Sequence, residues 1–322
     1  MNGADTATGA DTGGGADTGT GADTAGATGG RGALRPGERV LLFDAKGRRY
    51  LVTLAPGAEF HTHAGPVPHD EILGGEEGRV VRSARGARYT VVRPTLSDVV
   101  LKMPRGAQVI YPKDLGPLLI LADVFPGARV LESGLGSGAL SMALLRAGAD
   151  ITGYEIREDF AARARANVAG FLGEEALDRY HVSVRDVYEG IGTSGLDRVV
   201  LDLPEPWRVV GHAERALRPG GILVAYLPTI LQVAALRERL ARSAFGLAET
   251  VEVLQRGWHV EGQSVRPDHR MVAHTGFLTS ARLLGEPGGR AAVPAEAAAG
   301  DDPDGDGPDG AGEGPVGGGS GG

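Results

Sequence analysis

Val130-Leu131-Glu132-Ser133-Gly134-Leu135-Gly136-Ser137-Gly138 joins an apolar run, an acid and three alternating glycines. Such a run reads as a buried strand entering a tight turn that opens a helix. Glycine suits that turn because a side chain would hold the backbone away from a ligand, and because the turn can demand positive φ. A second acid, Glu155, ends the next apolar run, where a carboxylate can accept both hydroxyls of a ribose. Two cofactor classes fit, NAD-type dinucleotides and S-adenosylmethionine. The dinucleotide pattern G-x-G-x-x-G places its third glycine for helix packing and aims a helix N-terminus at a pyrophosphate. Here the glycines fall at 134, 136 and 138, and Glu132 sets a negative charge where a pyrophosphate would add more. S-Adenosylmethionine carries a sulfonium and an ammonium and no phosphate, so the segment favours it over a dinucleotide or a ligand-free glycine turn.

Further acids follow the next two apolar runs, Asp186 and then Asp202. The latter opens Asp202-Leu203-Pro204-Glu205-Pro206-Trp207. This resembles the acid-Pro-Pro-aromatic loop of methyltransferases that act on exocyclic amino groups, with one residue inserted between elements. Prolines stiffen such a loop without leaving N–H groups to satisfy, and an aromatic can stack on a base or simply fill a core. The chain has no cysteine, which removes thiolate metal sites and the covalent route to methylating a pyrimidine carbon. His61, His63 and His69 have spacings compatible with a zinc site, but no acid follows at ligand spacing. Loop packing or RNA contact is the expectation there, with no metal.

The elements that must position these residues are legible from periodicity. Residues 36–95 hold short β-rich runs at 39–43, 49–53, 78–83 and 88–92, broken by Gly, Pro and Asp turns. A helix is expected over 118–124. Strand and helix patterns then alternate through 129–132, 139–147, 150–154, 158–170, 181–184, 198–203, 208–217, 222–226 and 230–243. Alternation of this kind predicts an α/β domain, a parallel sheet with helices on both faces. Runs near 251–254 and 273–279 are expected to pair antiparallel at its edge. In such a sheet ligands sit beyond the carboxyl ends of the strands, where Glu132, Glu155, Asp186 and Asp202 all fall.

The ends of the chain read differently. Gly-Ala-Asp-Thr begins at Gly3 and recurs at Gly9, Gly15 and Gly21, with no apolar residue larger than alanine between repeats, so residues 1–34 are expected to be a disordered tail. Residues 286–322, rich in Gly, Pro, Ala and Asp, are expected to be a second. Asp302, Asp304, Asp306, Gly307 and Glu313 match the spacing of a calcium loop, but Pro303, Pro308 and Asp309 intrude and glycines flank the segment where an EF-hand needs helices, so acidic low complexity is the reading. The net charge of −8 resides in these tails, which carry −3 and −7 and leave +2 for the middle. There Arg79, Arg82, Arg85, Arg88, Arg93, Lys102 and Arg105 crowd a window whose sole acid is Asp98, as a phosphate-contacting patch or a solvated strand face would. No apolar run approaches membrane-spanning length and the N-terminus lacks a signal-peptide core, so a cytoplasmic protein is expected.

The ordered set IYPKD (110–114), VLESGLGSGAL (130–140), YE (154–155), LDLPEPW (201–207), QRGW (255–258) and RPDHRMVAHTGFL (266–278) resembles the bacterial and archaeal tRNA (adenine-N1)-methyltransferases acting at position 58 of the T-loop. The likeness spans about residues 36–284. It implies a seven-stranded Rossmann-like, S-adenosylmethionine-dependent methyltransferase domain over 96–285, behind a small N-terminal β domain over 35–95. It also implies tRNA as acceptor and a homotetramer. By match of motif, Gln108, Val109, Ile110, Tyr111, Glu132, Gly134, Gly136, Ser137, Gly138, Glu155, Asp186 and Asp202 would line the cofactor site, with Glu155 on the ribose and Asp186 near the adenine. Asp202 matches the catalytic aspartate and Tyr111 a tyrosine near the target base. Leu135 departs from the small residues common there. The alternatives are a methyltransferase of a small molecule or protein carboxylate, which would not need the Arg-rich β domain, a nicotinamide oxidoreductase, and a non-catalytic tRNA-binding paralogue, in which eroded glycines and a lost Asp202 are expected.

Overall fold

A computed structural model describes residues 32–285, apart from Pro104 and Ala107. The tetrapeptide repeats and the calcium-loop look-alike at 302–313 lie outside the described residues. The first sheet has the order β2-β1-β6-β5, from β1 (Arg39–Asp44), β2 (Arg49–Thr53), β5 (Val80–Arg82) and β6 (Arg88–Val92). A separate two-stranded ribbon pairs β3 (Glu59–Phe60) with β4 (Val67–Pro68). Val40, Leu42, Val81, Tyr89 and Val91 recur at every second position and close over Leu34, Leu54, Val67 and Ile72, the period-two pattern of a sheet face turned to a core. Leu41, between two of them, is buried as well.

Two helices lead out of it, α1 (Leu96–Lys102) and α2 (Pro112–Leu121). Thr95 caps α1 in a reciprocal box: its hydroxyl accepts from the Asp98 N–H at 3.2 Å while the Asp98 carboxylate accepts from the Thr95 N–H at 3.1 Å. Asp98 also takes Arg49 at 3.1 Å, fastening α1 to the small sheet. The sole acid of the basic window is thus spent on structure. Arg93 is withdrawn as well, bridging Glu38 and Glu77, whereas Arg79, Arg82, Arg85 and Arg88 remain exposed.

The second sheet has seven strands in the order β12-β15-β11-β10-β7-β8-β9. Its members are β7 (Arg129–Ser133), β8 (Asp150–Glu155), β9 (Tyr180–Val184), β10 (Leu196–Leu201), β11 (Leu217–Leu227), β12 (Phe245–Glu252) and β15 (Phe277–Leu283). The first five are parallel and β15 is antiparallel to both β11 and β12. The central strands β7, β10 and β11 are buried on both faces and so are mostly apolar, whereas the edge strands β9 and β12 alternate buried or half-buried with exposed and polar residues. Val130, Val200 and Val224 face one layer with α1, α2, α3 (Ala139–Arg146) and α4 (Glu158–Leu172), while Leu131, Val199 and Leu223 face α5 (Val210–Ala216) and α6 (Ile230–Leu240). Between β12 and β15 a hairpin, β13 (Trp258–Glu261) with β14 (Ser264–Pro267), stands apart as its own ribbon.

Some boundaries differ from the sequence reading. The helix expected over 118–124 runs over Pro112–Leu121, with Pro112 in the first turn, where a missing N–H costs nothing, and with Asp123 in a left-handed conformation after its end. The edge strands expected at 251–254 and 273–279 lie at Phe245–Glu252 and Phe277–Leu283. Residues 273–276 stay out of the ladder because their polar groups bind elsewhere. Thr275 donates to Asp114 at 2.6 Å, its carbonyl accepts from Tyr226 at 2.7 Å, and His274 bonds Glu252 at 2.7 Å and the Pro228 carbonyl at 2.9 Å.

Asp114 is the hub of this arrangement. Its other oxygen takes Lys113 at 2.7 Å, and Lys113 also donates to the Val253 carbonyl at 2.6 Å, with both side chains almost fully buried. Removing one partner of such a pair leaves a buried charge unmatched, at a cost of about 3–5 kcal/mol. Asp114→Ala should lower unfolding free energy by roughly that amount in urea denaturation, while Lys113→Met combined with Asp114→Leu should recover part of the loss.

Candidate active site

Strands β7 and β10 are neighbours, yet the chain leaves them toward opposite edges of the sheet. A crevice opens at such a switch point, beyond the carboxyl ends of the strands. The three glycines lie at its mouth, each for a different reason. Gly134, at φ 88°, is pressed against the Asp202 carbonyl, where a Cβ would collide. Gly138, at φ 81°, starts α3 in a left-handed conformation with the Ala164 backbone of α4 against it. Gly136, at φ 51°, has no protein atom within 4 Å of its Cβ position, so its open side is left for a ligand. Leu135 points the other way, buried against Gly153 of β8.

Three carboxyl groups surround this turn. Glu132 is fully buried; Ser141 of α3 donates to its Oε1 at 3.0 Å and in turn meets the Tyr180 hydroxyl at 2.8 Å, but Oε2 has no hydrogen-bond partner. Burial pushes its carboxyl up to about 8, with the charges of Asp202 and Glu155 adding to the effect. Burial, then the charge of Glu155, pushes Asp202 up to about 7. Glu155 accepts the Gly136 N–H at 3.2 Å on one oxygen and the Arg157 N–H at 3.1 Å on the other, which clamps the glycine turn onto the end of β8. Among the described residues none of the three has a basic side chain as ion-pair partner. A cluster of acids held close without a counterion, with one orphaned buried acceptor and room above Gly136, suits a cationic adenosyl group and opposes a polyphosphate.

The other expected residues divide. Asp186 lies on the same rim and accepts the Tyr188 N–H at 2.8 Å, starting a short 3-10 turn. Val109 and Ile110 pack into the core, so that pair can reach a ligand only through its backbone; Gln108 is exposed and Tyr111 half-buried. Ser137 is buried with an unpartnered hydroxyl. Arg198 of β10 donates to carbonyls at the end of α2, fixing the helix whose first turn follows Tyr111. Tyr226, at the end of β11, escaped the sequence reading. Burial raises its phenol to about 12, with the charges of Asp114 and Asp202 and the neighbouring Tyr111 adding to the shift, and its hydroxyl donates to the Thr275 carbonyl at 2.7 Å. Its only sequence signal is a polar-tipped aromatic at the carboxyl end of an apolar strand.

The 202–207 loop is held by Tyr188, whose hydroxyl accepts the Glu205 N–H at 3.2 Å, and by Gln232, which donates to the Pro204 carbonyl at 2.9 Å. Trp207 is half-buried and packs against the core on the α5 face, so part of the indole fills volume there. His69 is buried and accepts the Ala55 N–H at 3.1 Å, away from exposed His61 and His63. Among the described residues no group of three or more His, Cys, Asp and Glu could hold a metal.

The fold and this site have close relatives. Residues 89–275 match the family model described as the tRNA methyltransferase complex GCD14 subunit, and residues 32–81 match a TrmI-like N-terminal unit. The tRNA (adenine(58)-N(1))-methyltransferase TrmI of Thermus thermophilus is 41% identical over 76% of this chain and 96% of its own length. The tRNA (adenine(57)-N(1)/adenine(58)-N(1))-methyltransferase TrmI of Methanocaldococcus jannaschii is 37% identical over 77% and 95%. Among solved structures, an S-adenosylmethionine-dependent O-methyltransferase from Thermotoga maritima superposes with a TM-score of 0.74 at 33% identity, covering 79% of this chain and 95% of that one. The tRNA (m1A58) methyltransferase TrmI of Aquifex aeolicus gives 0.69 at 30% identity, covering 79% and 99%. With its glycine turn, its unpaired acids and the seven-stranded sheet that holds them, the chain belongs to the tRNA methyltransferase family of the GCD14 subunit and TrmI.

Proposed function

We propose that the protein transfers the methyl group of S-adenosylmethionine to N1 of adenosine 58 in the T-loop of tRNA. The observation that carries this reading is the set of uncompensated acids, Glu132, Glu155 and Asp202, gathered around an open glycine turn at the switch point. S-Adenosylmethionine supplies an electrophilic methyl group on a sulfonium. Glu132 offers its free oxygen to the positive end of that molecule, Gly134, Gly136, Ser137 and Gly138 give it backbone to lie against, Glu155 accepts from its ribose and Asp186 lies near its adenine. Gln108 to Tyr111 close the site from the side of α2.

Adenine N1 has an in-plane lone pair and no proton at neutral pH, so no strong base is needed, and positioning supplies much of the rate. Asp202 accepts a hydrogen bond from the exocyclic amine, orients the ring and stabilises the charge the base gains. Tyr111 packs beside the base, which must leave its folded tRNA surroundings to enter the crevice. Such chemistry belongs in the cytoplasm with tRNA, and among the described residues no helix is long and apolar enough to cross a membrane.

Incubating unmodified tRNA with protein and labelled donor, then analysing nucleosides by mass, should reveal 1-methyladenosine at position 58; its absence would sink the proposal. The ionised form of Asp202 is the useful one, so kcat/KM should rise with pH through about 7. Asp202→Asn should lower kcat by about 10²–10³ and remove that limb. Gly136→Ala meets no protein atom but strains a left-handed residue at φ 51°, so the melting temperature should fall, and by only a few degrees. Its affinity for S-adenosylmethionine by titration calorimetry should nonetheless fall at least about tenfold; unchanged affinity would move the cofactor elsewhere.

The proposed working form is a homotetramer. On the β13–β14 hairpin Trp258, Val260 and Val265 are 60%, 70% and 59% exposed, with Met271 and Val272 also exposed nearby in sequence, an apolar set of the kind that marks an interaction surface. Analytical ultracentrifugation should give four chains for wild type, and smaller species once Val260 and Val265 are both changed to Asp.

A further inference from the structure

The small sheet carries a pocket that the methyl-transfer chemistry does not use. It encloses about 580 Å³ between the β1–β2 turn, the 60–64 loop and the start of β6, within the ~300–1,000 Å³ typical of small-ligand sites. Its apolar side is an aromatic cluster. Tyr50 and Phe60 lie 5.2 Å apart between centroids, and Tyr89 stands edge-on to both at 6.4 and 6.1 Å. Tyr89 is buried, whereas Tyr50 and Phe60 keep part of their surface open.

The rim is basic and its walls are fixed. Asp44 accepts the Lys46 N–H at 2.9 Å and the Arg48 N–H at 3.0 Å, and pairs with the Arg48 guanidinium at 2.6 Å, which sets the turn. Lys46 and Arg88 are exposed on the same pocket and have no ion-pair partner among the described residues. The opposite wall carries His61 and His63. It is tied down where Thr62 donates to the Gly65 carbonyl at 2.6 Å and Ser83 donates to the Ala64 carbonyl at 2.6 Å.

An aromatic wall, its open rings Tyr50 and Phe60 inclined at 51° to each other, with unpaired cations at its edge matches one nucleotide, a base to stack and a phosphate to neutralise. A purely apolar partner would leave Lys46 and Arg88 unmatched. A phosphate alone would leave Tyr50 and Phe60 facing nothing. The exposed Arg79, Arg82 and Arg85 extend the positive surface along β5 and its turn, as a bound strand would require. We infer that this pocket receives an unpaired nucleotide of the tRNA, its base against Phe60 and Tyr50 and its phosphate against Lys46 and Arg88. The inference rests on the proposed tRNA substrate, and it makes the small domain a reader of unpaired RNA rather than a charged platform.

The test titrates unmodified tRNA into the full-length protein by fluorescence anisotropy at fixed salt, with methylation followed in parallel. Phe60→Leu keeps apolar volume and removes the ring. Its Kd and KM for tRNA should rise roughly tenfold, with kcat, S-adenosylmethionine affinity and melting temperature nearly unchanged. Lys46→Glu and Arg88→Glu should also weaken binding and flatten its salt dependence. Loss of affinity in the charge variants but not in Phe60→Leu overturns the inference, because it describes a patch without a base. AMP binding that depends on Phe60 while tRNA affinity does not would make this a free-nucleotide site, and overturns it equally. A wild type that binds tRNA in a Phe60-dependent way but forms no 1-methyladenosine sinks the proposed reaction and upholds the pocket. A wild type that methylates tRNA with Phe60→Leu unimpaired sinks the pocket alone, and one that neither binds nor methylates tRNA sinks both.

Discussion

The Asp202 N–H donates to the Ser133 carbonyl at 2.9 Å, joining the ends of β10 and β7 at the point where the chain turns away from each. Much of the site follows from that bond. It brings the Asp202 carbonyl against residue 134, which must then be glycine, and the same turn puts Gly136 where Glu155 can hold its N–H. The carboxyl groups of strands β7, β8 and the loop after β10 are thereby drawn into one another's fields. The adjacency of β10, β7 and β8 is what keeps them together.

Bringing those acids together works against the stability of the empty protein. Glu132 and Asp202 hold their protons more tightly folded than unfolded, so their contribution to stability is full below the ordinary carboxylate range and is lost as pH rises through about 7 and 8. Near neutrality the site is held ready by the surrounding packing rather than by its own interactions. Ser141, itself bonded to Tyr180, satisfies one Glu132 oxygen, the Lys113–Asp114–Thr275 network fixes the neighbouring segments, and a bound cation would offset the remaining repulsion. Strain at a site, maintained by the rest of a fold, is a recurring arrangement in enzymes.

The parallel sheet and its glycine turn were legible because their signals are local: apolar runs of strand length, a glycine at each constrained turn, an acid at each strand end. What escaped was set by distant partners. The capping box of α1 stood in the open as Thr95-Leu96-Ser97-Asp98, but the arginines around it drew the reading toward charge. Nothing local says that Arg93 would turn to Glu38 and Glu77, that Trp207 would face the core, or that Thr275 would leave the β15 ladder for an acid on α2. Tyr226 reaches the Thr275 carbonyl and the field of Asp202 only because β11 lies beside both β10 and β15, a relation of topology. The motifs IYPKD and RPDHRMVAHTGFL carry much of the family resemblance, and the hydrogen bond between Asp114 and Thr275 ties one to the other in space.

Leu135 stands where a small residue would serve the turn equally well, and its methyl groups sit 3.1 Å from where a Cβ of residue 153 would be. The turn after β7 and strand β8 therefore share one parcel of volume. A side chain at residue 153 would fit only if the Leu135 methyl groups drew back by a few tenths of an ångström, so the bulk of the turn residue sets how much bulk the strand beside it can carry.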